Sequence, residues 1–392
     1  MKRFLPIAPR ATLAAIVLTC AQAFAQAPVK IGFVAELSGP QAALGQDQYD
    51  GFMLYVEQQG GRLGGVPVQV LREDTQLKPE VAVQAVHKLI EREGVPIITG
   101  VTFSNIMMAI HKPVTERQVF LISSLSGPSP IAGAQCSPYQ FVTSFQLDAA
   151  AEAHASYANQ KGYKRVFLLA PNYQSGKDFL TGFKRVFKGE VVDEVYTAMG
   201  APDYSAELTQ IAAAKPDAVF AFYPGAMGIN FVRQYGQMGL LKSTPLLSQG
   251  AADGSTLPAL GEAALGAFNG APWGPDLDNP ANRRFVQAYE QKYRRIPTLF
   301  AAQSYDAAQL LDSALRKVKG NVQDKDALRQ ALKAADFPSV RGKFRFGNNQ
   351  FPVQDYYIQQ VARDAQGRVN LKTVSTPLKD FVDAYASQCP MK

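Results

Sequence analysis

IITGVTFSNIMMAIHKPVTERQVFLISSLSGPSP, residues 97–130, decides how the rest of the chain is read. Two apolar runs, IITG at 97–100 and VFLISS at 119–124, each pass directly into small polar residues. Ser104 and Asn105 follow the first run, and Ser123, Ser124, Ser126 and Gly127 follow the second. The helical stretch 104–117 between the runs makes a βαβ unit with parallel strands. Loops at the carboxyl ends of neighbouring parallel strands are where an open α/β sheet binds small ligands. Nothing nearby resembles a catalytic apparatus, so the pattern implies a small molecule held without being transformed.

The same grammar extends in both directions. Upstream, VKIGFVAEL (29–37) and VPVQVLRED (66–74) read as strands, with helices over 46–59 and 79–93. Gly60-Gly61 supplies the C-cap signal of the first helix. Downstream of Phe141, helices over 147–161, 176–187, 204–214 and 226–238 alternate with strands at 165–171, 191–197, 217–225 and 244–250. Repeated alternation predicts two similar lobes, each a mainly parallel, doubly wound α/β sheet. LGAFNGAPWGPDLDNP (265–280) suits a crossover between them. Helices are expected over 281–294, 299–319 and 324–335, an extended hairpin over 343–361, and a last helix near 377–387.

The first residues address the compartment. Lys2, Arg3 and Arg10 precede a short apolar core at 11–19, and Ala23-Phe24-Ala25 fits signal-peptidase cleavage near Ala25. The apolar run is far below the ~20 residues that span a bilayer. Val17-Leu18-Thr19 is a poor lipobox for acylation at Cys20. Cleavage removes three basic residues and no acidic ones, so a formal charge of +7 becomes +4. That is too mild and dispersed to argue for nucleic acid. Cys136 and Cys389 remain, and an even count in an oxidising compartment favours a disulfide. The mature chain, about 365 residues, exceeds what one core usually supports.

Several chemical motifs fail on context. GGRLGG (60–65) lies between a helix and a strand, the reverse of a dinucleotide loop. At 175–177, SGK has Pro171 where a phosphate loop needs its first glycine, and Asp178 follows the lysine. His87, His111 and His154 fall on separate helices without a second ligand at i+3 or i+4, and read as surface or boundary residues. No metal, cofactor or catalytic residue is expected, and no G-x-S-x-G elbow occurs. The aromatics Phe103, Tyr173, Phe222, Tyr223 and Phe300 all fall at predicted element ends, where some can line a cleft.

VKIGFVAELSGPQAALG, GGRLGGVPVQV, ED followed by KPEVAVQAVHKLI, and SYDAAQLL together resemble the periplasmic substrate-binding proteins of bacterial ABC importers. The likeness is to the branched-chain amino-acid-binding class. It implies two lobes joined by three strands, with crossings near 141–145, 269–275 and 348–354. Lobe I would comprise 26–143 plus 273–350, and lobe II 144–272 plus 351–392. It further implies a monomer that delivers a small-molecule carboxylate to membrane permease subunits.

Carried onto this chain, the family's site places Ser104, with loop N–H groups near Leu125 and Gly127, on a carboxylate, and Ser126 lies between them. Asn105 lies beside them. Phe103, Tyr173, Tyr223 and Phe300 would enclose the ligand body, with Ser175 where the family often has a tyrosine. Gln249 stands where the family usually carries a carboxylate for the α-ammonium of an amino acid. An ammonium closed in a cleft without a counter-charge costs several kcal/mol. KFRFGNNQFPVQDYYIQQV (343–361) also resembles a branch associated with aromatic acids. The expected ligand is therefore a carboxylate with an apolar or aromatic body. A branched-chain amino acid, or a sensory rather than a transport role, is the alternative.

Overall fold

A computed structural model describes Met1 and residues 27–391. The signal-peptide reading falls on residues 2–26 and so lies outside the described residues. The first half of the chain builds β1 (Val29–Ala35), α1 (Ala42–Gln58), β2 (Arg62–Leu63), β3 (Val66–Asp74), α2 (Pro79–His87), β4 (Ile97–Gly100), α3 (Ser104–Thr115), β5 (Phe120–Ser123), α4 (Ser129–Ala132) and β6 (Gln140–Val142). Its strands lie in the order β2-β3-β1-β4-β5-β6, parallel except for the β2–β3 hairpin. GGRLGG is that hairpin's approach and turn, with Arg62 and Leu63 as its short strand.

The second sheet begins with α5 (Leu147–Gln160), β7 (Arg165–Pro171), α6 (Gln174–Val186), β8 (Glu190–Thr197), α7 (Ser205–Ala214) and β9 (Ala218–Phe222). It continues through α8 (Ala226–Gln237), α9 (Leu240–Ser243), β10 (Leu246–Gln249), α10 (Leu257–Leu260) and β11 (Phe268–Ala271). The chain then forms α11 (Pro280–Tyr293), α12 (Leu299–Lys317), α13 (Lys325–Lys333) and β12 (Arg345–Phe346), before β13 (Pro352–Arg363) and β14 (Val369–Phe381). Strand order here is β12-β13-β11-β10-β9-β7-β8, with β14 antiparallel to β13. Helices cover both faces of each sheet, a doubly wound α/β architecture in two lobes.

Two-sided coverage explains why the strands read as unbroken apolar runs instead of alternating ones. In β5, Phe120 and Ile122 face α1, α12 and α13, while Leu121 faces α2 and α3. In the second lobe, Val219 and Ala221 join the layer containing α7 and α8, and Phe220 and Phe222 join the layer containing α5 and α6. The later helices start at polar caps. Asn279, Thr298 and Asp324 each accept a backbone N–H from the first turn of the helix that follows.

The predicted helix near 377–387 is not formed. Residues 369–381 instead form β14, whose only strand partner among the described residues is β13. Pro377 is compatible with that position because the strand is at an edge, and the register shifts between Ile358 and Tyr356 opposite it. Beyond it, Cys389 is bonded to Cys136, tying the tail to the segment after α4. Two of the three histidines also differ from expectation, while His87 is a partly exposed boundary residue. His154 is fully buried against Phe220, and burial lowers its pKa to about 3, so it is a neutral core residue. His111 is buried too.

Candidate functional site

Each parallel strand in such a sheet ends where the next helix begins, so the carboxyl edges of the two sheets present loops and helix N-termini to each other. Between these edges lie two adjoining chambers. The smaller, about 50 Å³, is lined from the first lobe by Leu44, Thr102, Phe103, Leu125, Ser126, Leu299 and Phe300. From the second lobe and the segment leading into it come Phe145, Leu147, Tyr173, Ser175, Phe179, Phe222, Pro224, Gln249, Gly250, Asp253 and Asn269. The larger, about 430 Å³, shares Asp253, Asn269 and Leu299 with it and continues to Trp273, Arg295 and Asp47. Fifty cubic ångströms is less than the ~150 Å³ of an engineered cavity that admits benzene. An aromatic ring therefore needs the lobes to yield slightly, or the neighbouring space.

The lobes touch through hydrogen bonds. Ser104 Oγ accepts from Ser175 N–H at 2.9 Å and from Ser175 Oγ at 2.7 Å. Asp178, in α6, accepts from Ser129 N–H at 2.9 Å and Ser129 Oγ at 2.7 Å. Burial, reinforced by the charge of Asp148, raises the Asp178 pKa to about 6.

Of the residues anticipated from sequence, Phe103, Leu125, Ser126, Tyr173, Ser175, Gln249 and Phe300 are brought together at the smaller chamber. Phe103 and Tyr173 approach with ring centroids 6.3 Å apart, and Tyr173 stacks toward Phe222 at 6.1 Å. Four others lie elsewhere. Ser104 is buried behind the wall, engaged with Ser175. Asn105 is one residue further into α3 and outside the lining. Gly127 is held by close packing: a Cβ there would sit 2.1 Å from the Phe145 carbonyl oxygen. Its own carbonyl accepts from Leu147 N–H.

Tyr223 points into the core of the second lobe, with its hydroxyl 3.2 Å from Thr197 Oγ1 and its ring 4.8 Å from Tyr204. The cause is strand alternation: successive side chains leave β9 on opposite faces, so Phe222 turns to the cleft and Tyr223 away.

Phe145, Phe179, Asp253 and Asn269 were not anticipated. Asn269 is the second residue of β11 and pairs with Ser248, one residue before Gln249 at the end of β10. Asp253 lies four residues beyond Gln249, in a loop no periodicity marks.

The electrostatics are uneven. No Lys, Arg or His lines the smaller chamber, and Asp253 is its only carboxylate. Asp253 Oδ1 accepts from Ser255 N–H, Ser255 Oγ and Thr256 N–H, while burial raises its pKa to about 6. Ser126 Oγ, Gln249 Oε1 and Asn269 Oδ1 are buried without a hydrogen-bond partner. Buried polar atoms left unpaired cost free energy, so these three are poised to meet a polar ligand. Five helices, α1, α3, α5, α6 and α12, place an N-cap or first-turn residue on the chamber. Such termini carry partial positive charge from their free N–H groups.

Comparison with known proteins agrees with this architecture. Residues 28–367 match the family model described as periplasmic binding protein. A Leu/Ile/Val-binding protein homologue of Brucella melitensis is 28% identical over 376 residues, covering 93% of this chain and 95% of the relative. A solute-binding protein of an ABC transporter from R. palustris, solved in complex with benzoate, is 31% identical. It superposes with a TM-score of 0.88 over 93% of this chain and 100% of the other. A second, from Rhodopseudomonas palustris BisB5 in complex with 3,4-dihydroxybenzoic acid, is 28% identical with a TM-score of 0.85, covering 91% and 99%. With the match running through both lobes, the chain belongs to the periplasmic binding protein family, the solute-binding components of ABC importers.

Proposed function

We propose that the protein captures a small aromatic carboxylate between its lobes and, acting as a monomer, hands it to the permease subunits of an ABC importer. The observation that carries this reading is the convergence of five helix N-termini on a chamber walled by aromatic rings and devoid of basic side chains. The dipoles of these helices favour a negative charge there, each terminus contributing roughly 0.3–1 kcal/mol. Phe103, Tyr173, Phe179, Phe222 and Phe300 offer ring faces and edges to an apolar body, in the offset and edge-on arrangements that aromatic pairs prefer. Ser126, with its unpaired Oγ on the chamber wall, is the hydroxyl available to the acid. Relatives at 31% and 28% identity that carry benzoate and 3,4-dihydroxybenzoic acid lend further support.

The neutral Gln249 argues against an α-amino acid. One observation favours the other side: Asp253 provides a carboxylate on the same wall. Half of that carboxylate is already saturated by Ser255 and Thr256, which weakens its claim as an ammonium partner. A thermal-shift panel decides between the two. A ligand at ~100 times its Kd stabilises by roughly 2.7 kcal/mol. Upward shifts are expected with benzoate-type acids and none with leucine, isoleucine or valine; the reverse result would transfer the assignment to amino acids.

A further inference from the structure

Along the rim of the second lobe, residues that line the smaller chamber follow strand order. Tyr173 and Ser175 lie beyond β7, Phe222 and Pro224 at β9, Gln249 and Asp253 at and beyond β10, and Asn269 within β11. Neighbouring strands are ~4.8 Å apart, so the β10 and β11 positions lie roughly 10–14 Å from the β7 position. The Ser104–Ser175 contact sits at the near end, and the Gln249, Asp253 and Asn269 side chains form the far end.

That far end offers acceptors. The orientation of Asn269 follows from its neighbours: Gln359 Nε2 donates to the Trp273 carbonyl at 3.0 Å, which turns Gln359 Oε1 toward Asn269. Asn269 Nδ2 donates to that oxygen at 3.1 Å. A carbonyl cannot donate, so this relay leaves Asn269 Oδ1 as the unpaired atom, on a residue only 3% exposed. Gln249 Oε1, on a residue 5% exposed, is likewise unpaired. Asp253, with Oδ1 occupied by three donors, adds the remaining oxygen of its carboxylate.

We infer that Gln249, Asp253 and Asn269 form a specificity wall that accepts hydrogen bonds from a hydroxyl on the distal end of the ring, selecting phenolic acids over unsubstituted ones. The inference rests on the aromatic-carboxylate reading above. A span of roughly 10–14 Å between strand positions is long enough for a small ring with a polar group at each end. A carboxylate and a para hydroxyl on one benzene ring fit that interval. An ether or halogen brings no proton to the wall. The larger chamber beyond Asp253 and Asn269 leaves space for a substituent next to the hydroxyl.

The test is isothermal titration of the purified full-length protein, stripped of bound solute by unfolding and refolding, with benzoate, 4-hydroxybenzoate, 4-methoxybenzoate and leucine. Binding of 4-hydroxybenzoate at least tenfold tighter than both benzoate and 4-methoxybenzoate is the expected result. Equal affinities, or a methoxy compound as good as the phenol, would overturn the wall while leaving the aromatic-acid reading intact. Leucine binding with no response to any aromatic acid overturns both. Asn269→Leu should reduce the hydroxyl-to-benzoate affinity ratio to less than threefold, read as a ratio so that a general loss of affinity cancels. A ratio unchanged in a folded N269L protein also counts against the wall. Since the ligand series on the unaltered protein decides alone, a variant that fails to fold does not rescue the proposal.

Discussion

Replacing Asp306 with alanine strands a guanidinium in the protein interior. Asp306 and Arg341 are 0% and 1% exposed at their side chains, with Asp306 Oδ2 2.9 Å from Arg341 Nη2. The same oxygen accepts from Arg341 Nε at 3.0 Å and Ser339 Oγ at 2.6 Å, and Oδ1 accepts from Val340 N–H and Gln309 Nε2. Arg341 Nη1 in turn donates to the Ser144 carbonyl at 3.0 Å and to Gln354 Oε1 at 2.8 Å. Ser144 lies between β6 and α5, and Gln354 near the start of β13, so the pair fastens two passages of chain between the lobes. Burial already pushes the Arg341 pKa down, and the negative charge of Asp306 opposes that push.

Removing one member of a buried pair costs roughly 3–5 kcal/mol, because the remaining charge is uncompensated. With an unfolding entropy of about 2.1 cal/mol/K per residue over about 365 residues, that loss lowers the melting temperature by about 4–7 °C. Differential scanning calorimetry of D306A measures it. Asp336→Ala, which breaks the surface pair with Lys317, is the control and should move the midpoint by about 1 °C or less. A D306A midpoint no lower than that of D336A would refute the reasoning. Asp306→Leu combined with Arg341→Met should recover part of the loss, since well-packed apolar replacements of buried pairs are often tolerated.

Other consequences are quickly checked. Gln249→Glu adds a negative charge to the cleft and should weaken an aromatic acid by about thirty- to a hundredfold in titration calorimetry, at an interaction of roughly 2–3 kcal/mol for charges in a partly screened site; unchanged affinity removes Gln249 from the site. Separating the lobes returns Asp178 to water, so closure raises its pKa and takes up a proton. Affinity should then rise about tenfold as pH falls from 8 to 5, through the closed-form value of about 6, and Asp178→Asn should flatten that profile. Phe222→Ala should cost ligand affinity far more than Tyr223→Ala, whereas Y223A should lose roughly 3–5 kcal/mol of stability as a core truncation. Denatured, unreduced protein should show no free thiol at Cys136 or Cys389, and C136S/C389S should lose roughly 2–5 kcal/mol of stability, because the 253-residue separation closes a long loop.

How far the site could be read from the chain depended on the kind of signal involved. Phe103, Ser126, Ser175 and Gln249 follow strands whose ends are marked by a sharp switch from apolar to small polar residues, and all four reach the smaller chamber. Tyr223 was misplaced by one residue, because periodicity says that neighbours alternate but not which face meets the cleft. Asp253 and Asn269 escaped notice because their significance lies in pairing: β11 sits beside β10, and Gln359 turns the Asn269 amide outward. The helix α12 shows the same limit. Residues 300–315 are all buried, polar ones included, since the helix is enclosed on every side. Its span was legible as a helix over 299–319, but no local pattern shows that a helix is enclosed all round.

By itself the sequence determined the alternation of strands and helices, their parallel arrangement in two lobes, and the pair of cysteines available to bond. These follow from local propensities, caps and apolar runs, which act over a few residues at a time. Only the tertiary structure decided which side chains share the cleft, which serine is spent on a contact between the lobes, and which amide oxygens are left unpaired there. Those outcomes depend on strand order, on the facing of each residue and on hydrogen bonds between segments far apart in the chain, none of which is encoded in any single stretch.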